Sequence, residues 1–296
     1  MGRRSPRTAA WLSLTLGAAT PAVAQPAAFG EPEAPDPVRA RLVSERTALV
    51  PGRVNILGIV FDIDEEWHIY WPGQNDTGMP TAFDLDLPEG YDLRDPVWPA
   101  PHRYESPGEL LDHVYEETTL VMLPVLVPSG AVRGETVTIT ASAEWLMCRE
   151  ACIPGWTEDL ELELPVVNSL AETERTADAE LFRVARQRSP RPVGSALGGI
   201  SMDTRDSAAG RTVTFNAHQA NKIAFYPHET SSSVRNLLDD GAAANGTLEL
   251  IVERPNDEKT LVGVLEVWGP GDSPPSRVYR INIPLEPDEA PGEAGG

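Results

Sequence analysis

Residues 136–155 read TVTITASAEWLMCREACIPG, and their spacing decides the fold. Val137, Ile139, Ala141, Ala143 and Trp145 alternate with Thr136, Thr138, Thr140, Ser142 and Glu144. A period of two puts the apolar set on a core face and the polar set on the other face of a half-buried strand. Beyond the turn residues Pro154 and Gly155, Leu160, Leu162 and Leu164 alternate with Glu161 and Glu163, so a second strand is expected near 158–165. Cys148 and Cys152 fall between the two strands, close enough to bridge if the three intervening residues curl.

The same period recurs outward in both directions. Leu57, Ile59, Phe61 and Ile63 alternate with Ile56, Gly58 and Val60, as in a strand buried on both faces. Leu120–Val127 is a further apolar run, and Pro124 places it at an edge or bulge. Downstream, Val213 and Phe215, then Leu248, Leu250 and Val252, then 261–268, then Tyr279, Ile281 and Ile283 repeat the pattern. Short strands between Pro/Gly turns imply β-sandwiches, here two in series. One helix is expected between them. Ser169 and Glu172 have capping-box spacing, Leu170, Ala177, Leu181 and Val184 share a face, and Ser189-Pro190-Arg191-Pro192 ends it.

The resulting organisation is a signal peptide at 1–24, a disordered linker at 25–37 and a first sandwich at 38–168. A helical connector at 169–192, a second sandwich at 193–285 and a disordered tail at 286–296 follow. Arg3, Arg4 and Arg7, the short apolar run 9–19 and Ala22-Val23-Ala24 give the export signal its three parts. No later stretch is long and apolar enough to cross a membrane, so the mature chain is expected in a periplasm and not as a membrane-spanning protein. A formal charge of −21, more negative still without the signal arginines, excludes nucleic acid as a partner.

The two cysteines carry the chemistry. A bridge between positions four apart closes a very short loop and constrains the unfolded chain little, so stapling is a weak reason for the pair. Three readings fit: a structural bridge within a non-catalytic adaptor, a copper site with Met147 or a zinc site with a histidine, and thiol–disulfide exchange. Two thiolates are too few for a structural zinc site, and His68, His102 and His113 lack ligand spacing. Neither the thioredoxin C-x-x-C nor the haem-attaching C-x-x-C-H is present.

Three segments resemble one known family. Trp67-His68-Ile69-Tyr70-Trp71, continuing to Gly78-Met79-Pro80-Thr81, looks like a signature of the periplasmic N-terminal region of DsbD-like and ScsB-like thiol:disulfide interchange proteins. Trp98-Pro99-Ala100-Pro101 resembles that family's W-P-x-P segment, and Trp145-Leu146-Met147-Cys148 to Cys152-Ile153-Pro154-Gly155 its cysteine turn. The resemblance implies an immunoglobulin-like fold, hence an all-β chain of two such sandwich domains. It also implies that Cys148 and Cys152 are an exchangeable, catalytic pair needing no cofactor beyond their own redox-active disulfide. The implied partners are a membrane thiol transporter of the DsbD/CcdA type and periplasmic thioredoxin-like or disulfide-bearing proteins. A cap over the cysteines falls at Tyr104–Asp112 by order along the chain, which makes Tyr70, Trp71, Tyr104, Glu105 and Leu110 candidates for lining or covering the pair. Full-length members continue into a membrane conduit and a thioredoxin-like domain, neither of which follows before Gly296, so a separate electron donor is expected.

Overall fold

Alternating residues become strands throughout the computed structural model, which describes residues 36–192, 199–207, 210–253, 260–271 and 277–285. The expected signal at 1–24, nearly all of the 25–37 linker and the 286–296 tail lie outside the described residues. The N-terminal strands are β1 (Val38–Ser44), β2 (Val54–Ile63), β3 (His68–Tyr70), β4 (Ala82–Asp86) and β5 (Asp92–Leu93). They continue with β6 (His102–Ser106), β7 (Leu110–Tyr115), β8 (Thr119–Leu126), β9 (Thr136–Cys148) and β10 (Cys152–Pro165). One sheet runs β1-β2-β8-β5, and a second runs β10-β9-β3-β7-β6 with β4 also paired to β9. Leu57, Ile59 and Phe61 of β2 meet Val121, Leu123 and Val125 of β8 and Ile139, Ala141 and Trp145 of β9 in one core. Phe61 lies edge-on to Trp145 at 5.6 Å within it. Pro124 is tolerated because only the two-residue β5 flanks β8 there. Its carbonyl accepts from the Arg94 amide on that side, so its missing N–H faces the same, nearly free, edge.

The helix departs from expectation. Ser169 and Glu172 close one 3₁₀ turn, Leu170–Glu172, with the Ser169 hydroxyl on the Glu172 carboxylate at 3.0 Å, and the α-helix α1 spans only Ala179–Arg188. The reason is competition for the backbone. Residues 174–176 run beside the end of β1, where Thr47 donates to the Glu174 carbonyl and Thr176 binds the Ser44 and Glu45 carbonyls. The buried stripe is therefore Ala179, Phe182 and Ala185, while Leu170, Ala177 and Val184 are exposed. Phe182 and Ala185 cover Val43, Val60, Leu120 and Met122 on the outer face of the first sheet. That cover explains why β2 is apolar on both faces.

The C-terminal strands are β11 (Arg191–Pro192), β12 (Ile200–Ser207), β13 (Gly210–Ala217), β14 (Lys222–Pro227), β15 (Ala242–Ala243), β16 (Thr247–Val252), β17 (Thr260–Trp268) and β18 (Arg277–Pro284), with a short helix α2 at Leu237–Asp240. They form the sheets β11-β18-β17-β14-β15 and β12-β13-β16. Ile223 and Phe225 of β14 face Val213, Phe215, Leu248 and Leu250 in a second core. The alternate residues Ala224 and Tyr226, with Val264 and Val278, belong instead to the first core. The third sheet is thus buried on both faces, and the described residues from Asp36 onward cluster as one compact unit.

Candidate redox site

Cys148 closes β9, Cys152 opens β10, and the two stand directly opposite in the ladder with their Cα atoms 4.1 Å apart. Their sulfurs are joined in a disulfide. The hairpin is longer than its sequence suggested, because β10 begins at Cys152 and not near 158; a bulge between Thr157 and Leu160 separates the two stretches. The linking loop is clamped from below: the Arg149 guanidinium sits 5.2 Å over the Trp67 ring and 3.8 Å from Glu66.

Strand parity decides what surrounds the pair. Cys148 opposes His68, Tyr70 opposes Val114, and Tyr104 opposes Asp112, so these side chains share the outer face of the second sheet. Met147, Ile69, Trp71 and Tyr115 point the other way, into the main core. Cys148, Tyr70 and Val114 accordingly form a small separate cluster under Tyr104 and Leu146. The Tyr70 hydroxyl donates to Cys148 Sγ at 3.2 Å, and His68 Nε2 lies 3.3 Å from the same hydroxyl. With the phenolic proton committed to sulfur, Nε2 is left as the donor to that oxygen. Burial raises the Tyr70 pKa and lowers that of His68, so both are neutral near pH 7. Cys148 is 3% exposed, whereas Cys152 is exposed. The bond therefore joins one protected sulfur to one open sulfur.

The loop after β3 holds the phenol in place. Asn75 and Asp76 accept from the His113 and Leu111 amides, and Asp112 accepts from the Thr77 amide at 2.9 Å. Gly78 then lies flat on Tyr70; a Cβ there would stand 1.9 Å from the ring. Gly155 plays the same part for Trp145, its ladder partner, where a Cβ would meet the indole nitrogen at 2.4 Å.

Of the residues expected at the site, Tyr70 and Tyr104 adjoin Cys148, the Tyr104 ring lying 4.4 Å from that of His68. Leu110 shares their face by parity and opposes Ser106 at the closed end of the β6–β7 hairpin. Trp71 and Glu105 are not brought there. Trp71 is one residue out of phase and buried in the main core; Glu105, exposed and paired with Leu111, stands 3.8 Å from Arg103. The 104–112 segment is a regular hairpin at the edge of the sheet that holds the cysteines. The sequence reads His68 as an ordinary histidine, gives Leu146 no separate role and reads Gly78 first as the end of the turn Asn75-Asp76-Thr77-Gly78. Counting back two from Cys148 and from Tyr70 finds the first two. His102 instead binds Arg188 at 2.8 Å, and His113 hydrogen-bonds the Gln74 carbonyl at 2.7 Å, burial pushing each down to about 4.

Comparison with known proteins bears on the family and the fold. Residues 39–164 match the family described as thiol:disulfide interchange protein DsbD, N-terminal. The N-terminal periplasmic domain of ScsB from Proteus mirabilis shares the fold with a TM-score of 0.51 at 15% identity, over 85% of this chain and 95% of that one. The DsbD N-terminal domain of Neisseria meningitidis, in its reduced form, aligns at 18% identity and a TM-score of 0.25, over 45% of this chain and 89% of that one. No curated protein matches the chain. Among the described residues no helix is long and apolar enough to cross a membrane. The family match spans residues 39–164, cysteine hairpin included, and with the shared ScsB fold it supports a DsbD/ScsB-like N-terminal domain there.

Proposed function

We propose that the chain is a periplasmic thiol–disulfide interchange protein that passes two electrons through Cys148 and Cys152. The observation that carries this reading is the asymmetry of the pair, an open Cys152 bonded to a buried Cys148 beneath the Tyr70 phenol. In the loading step a thiolate of the donor attacks Cys152 Sγ. The S–S bond breaks, and Cys148 leaves with the electron pair as a thiolate that the Tyr70 hydroxyl stabilises. The donor's second thiolate then attacks the mixed disulfide, takes the new bond and leaves both cysteines reduced once two protons are taken up. In the delivery step Cys152 attacks the disulfide of a recipient, and Cys148 attacks Cys152 to re-form the internal bond and release the recipient's thiol.

The donor in this reading is a membrane thiol transporter of the DsbD/CcdA type, and the recipients are periplasmic thioredoxin-like or disulfide-bearing proteins. The chemistry needs no cofactor other than the disulfide. We assign the exchange domain to residues 38–168 and the connector to 169–192, with an immunoglobulin-like module at 193–285 that supports it; the signal at 1–24 delivers the chain. Copper handling is disfavoured because Met147 lies on the opposite face of β9 from the cysteines.

Trapping with single-cysteine variants tests the assignment. Cys148→Ser leaves Cys152 exposed and without its resolving partner, so it is expected to accumulate a mixed disulfide with an added dithiol–disulfide partner. Cys152→Ser, with only the buried sulfur, is expected to trap at least roughly tenfold less. Equal trapping by both variants, or none by either, overturns the proposal.

A further inference from the structure

We propose that a disulfide-bearing recipient docks along the free edge of β10 beyond Cys152, as an extended, basic segment that carries its reacting cysteine. This inference rests on the exchange reading and adds to it where and how the partner binds. Parity places Cys152, Pro154 and Trp156 on one face of β10, opposite Cys148, Leu146 and Glu144. Trp156, on the same face as Cys152, is 67% exposed, unusual for so large an apolar side chain. An extended segment that runs four residues along β10 from Cys152 covers it.

The backbone is open in the same place. β10 ends its sheet, and among the described residues no strand pairs with its outer edge between Cys152 and Leu164. A Cα separation of 4.1 Å marks Cys148 and Cys152 as a pair that does not exchange hydrogen bonds, so the Cys152 N–H and C=O point outward. The same phase holds two and four residues on. Pro154, which has no N–H, is suited to that phase because it owes none to β9, and Trp156 presents both its groups to the edge. An incoming strand thus meets backbone partners at Cys152 and Trp156, separated by about 13 Å, the reach of four extended residues.

Charge selects the occupant. The indole of Trp156 walls an open groove of about 470 Å³ whose lining includes Asp84, Glu144 and Glu158. Among the described residues no Lys, Arg or His forms an ion pair with these three carboxylates, in a chain that carries −21 overall. A lysine or arginine about four residues from the partner's cysteine would lie beside Trp156, its charge reaching across the ring toward these carboxylates as the sulfurs meet.

The test uses the reduced full chain and two synthetic peptides, each with one cysteine held as a mixed disulfide with 2-mercaptoethanol. One peptide has arginine four residues from the cysteine, and the other has glutamate there. Each reaction oxidises the protein's two thiols to a disulfide and gives the peptide thiol and mercaptoethanol. The arginine peptide is expected to react at least about tenfold faster, an advantage that falls with salt. Trp156→Ala is expected to bring the two peptides within about twofold of each other and to leave reaction with neutral hydroxyethyl disulfide unchanged. Equal rates for the two peptides, or an equal slowing of hydroxyethyl disulfide by Trp156→Ala, overturns the docking proposal while the exchange reading survives. No reaction with any of the three disulfides overturns both.

Discussion

The phenol of Tyr70 contacts the buried sulfur of the pair, Cys148 Sγ. If its proton stabilises the departing Cys148 thiolate, Tyr70→Phe should slow reduction of the oxidised protein by dithiothreitol roughly tenfold, since a hydrogen bond to a charged group is worth about 1.5–3 kcal/mol. Stability should fall by only about 1 kcal/mol, because the aromatic packing stays. Unchanged kinetics would mean that the 3.2 Å contact is only structural. Gly78→Ala should act on the same group by another route. The new methyl displaces the ring, costs about 1–3 kcal/mol in urea unfolding, and reproduces the slower exchange. At this scale the sequence was partly readable. The two cysteines stand out from the sequence itself, and the resemblance points to Tyr70 and Tyr104, which the fold sets beside Cys148, but also to Trp71, although consecutive strand residues point to opposite faces. Glu105 fell to the same parity.

The β9–β10 hairpin was legible as an element because its apolar residues keep strict period two up to Trp145, and Gly155 and Pro154 mark its return. The expected start of its second strand, near residue 158, is too late because the bulge between Thr157 and Leu160 breaks the alternation that would carry the pattern back to Cys152. The helix was misplaced for a different reason. Ser169 and Glu172 do satisfy each other, but the backbone of 174–176 is claimed by the end of β1, a long-range contact with no local signature. Phe182 lies outside the expected face of Leu170, Ala177, Leu181 and Val184, yet it is fully buried against the outer face of the first sheet. Phe182→Ala should therefore cost about 3–5 kcal/mol in chemical denaturation, whereas Val184→Ala, on the exposed side, should cost under about 0.5 kcal/mol. Similar losses for the two would place the helix's buried face elsewhere.

For the whole molecule, composition and periodicity revealed a β-rich chain but not how its sheets share cores. The apolar run of β14 is continuous because Ile223 and Phe225 face one core while Ala224 and Tyr226 face the other. Glu266 lies on that shared layer, 1% exposed, accepting from the Tyr226 hydroxyl at 2.7 Å with Arg188 3.9 Å away and Lys222 acting from further off. Desolvation outweighs these favourable charges and pushes its carboxyl up to about 7 from 4.5. Because the folded state holds this proton more tightly, the resulting stabilisation is complete below the unfolded value and fades as pH rises through about 7. Relative to the parent, Glu266→Gln should gain about 1 kcal/mol between pH 6 and pH 8, read from urea midpoints. A pH-independent difference would mean that the carboxylate is already charged at pH 6. The central claim, that the Cys148–Cys152 bond opens and closes in use, is tested most directly by its reduction potential, measured by equilibrating the whole chain with glutathione or dithiothreitol buffers. An exchanging pair should lie above about −300 mV, within reach of thiol-carrying partners; a value well below about −300 mV, where structural disulfides fall, would contradict it.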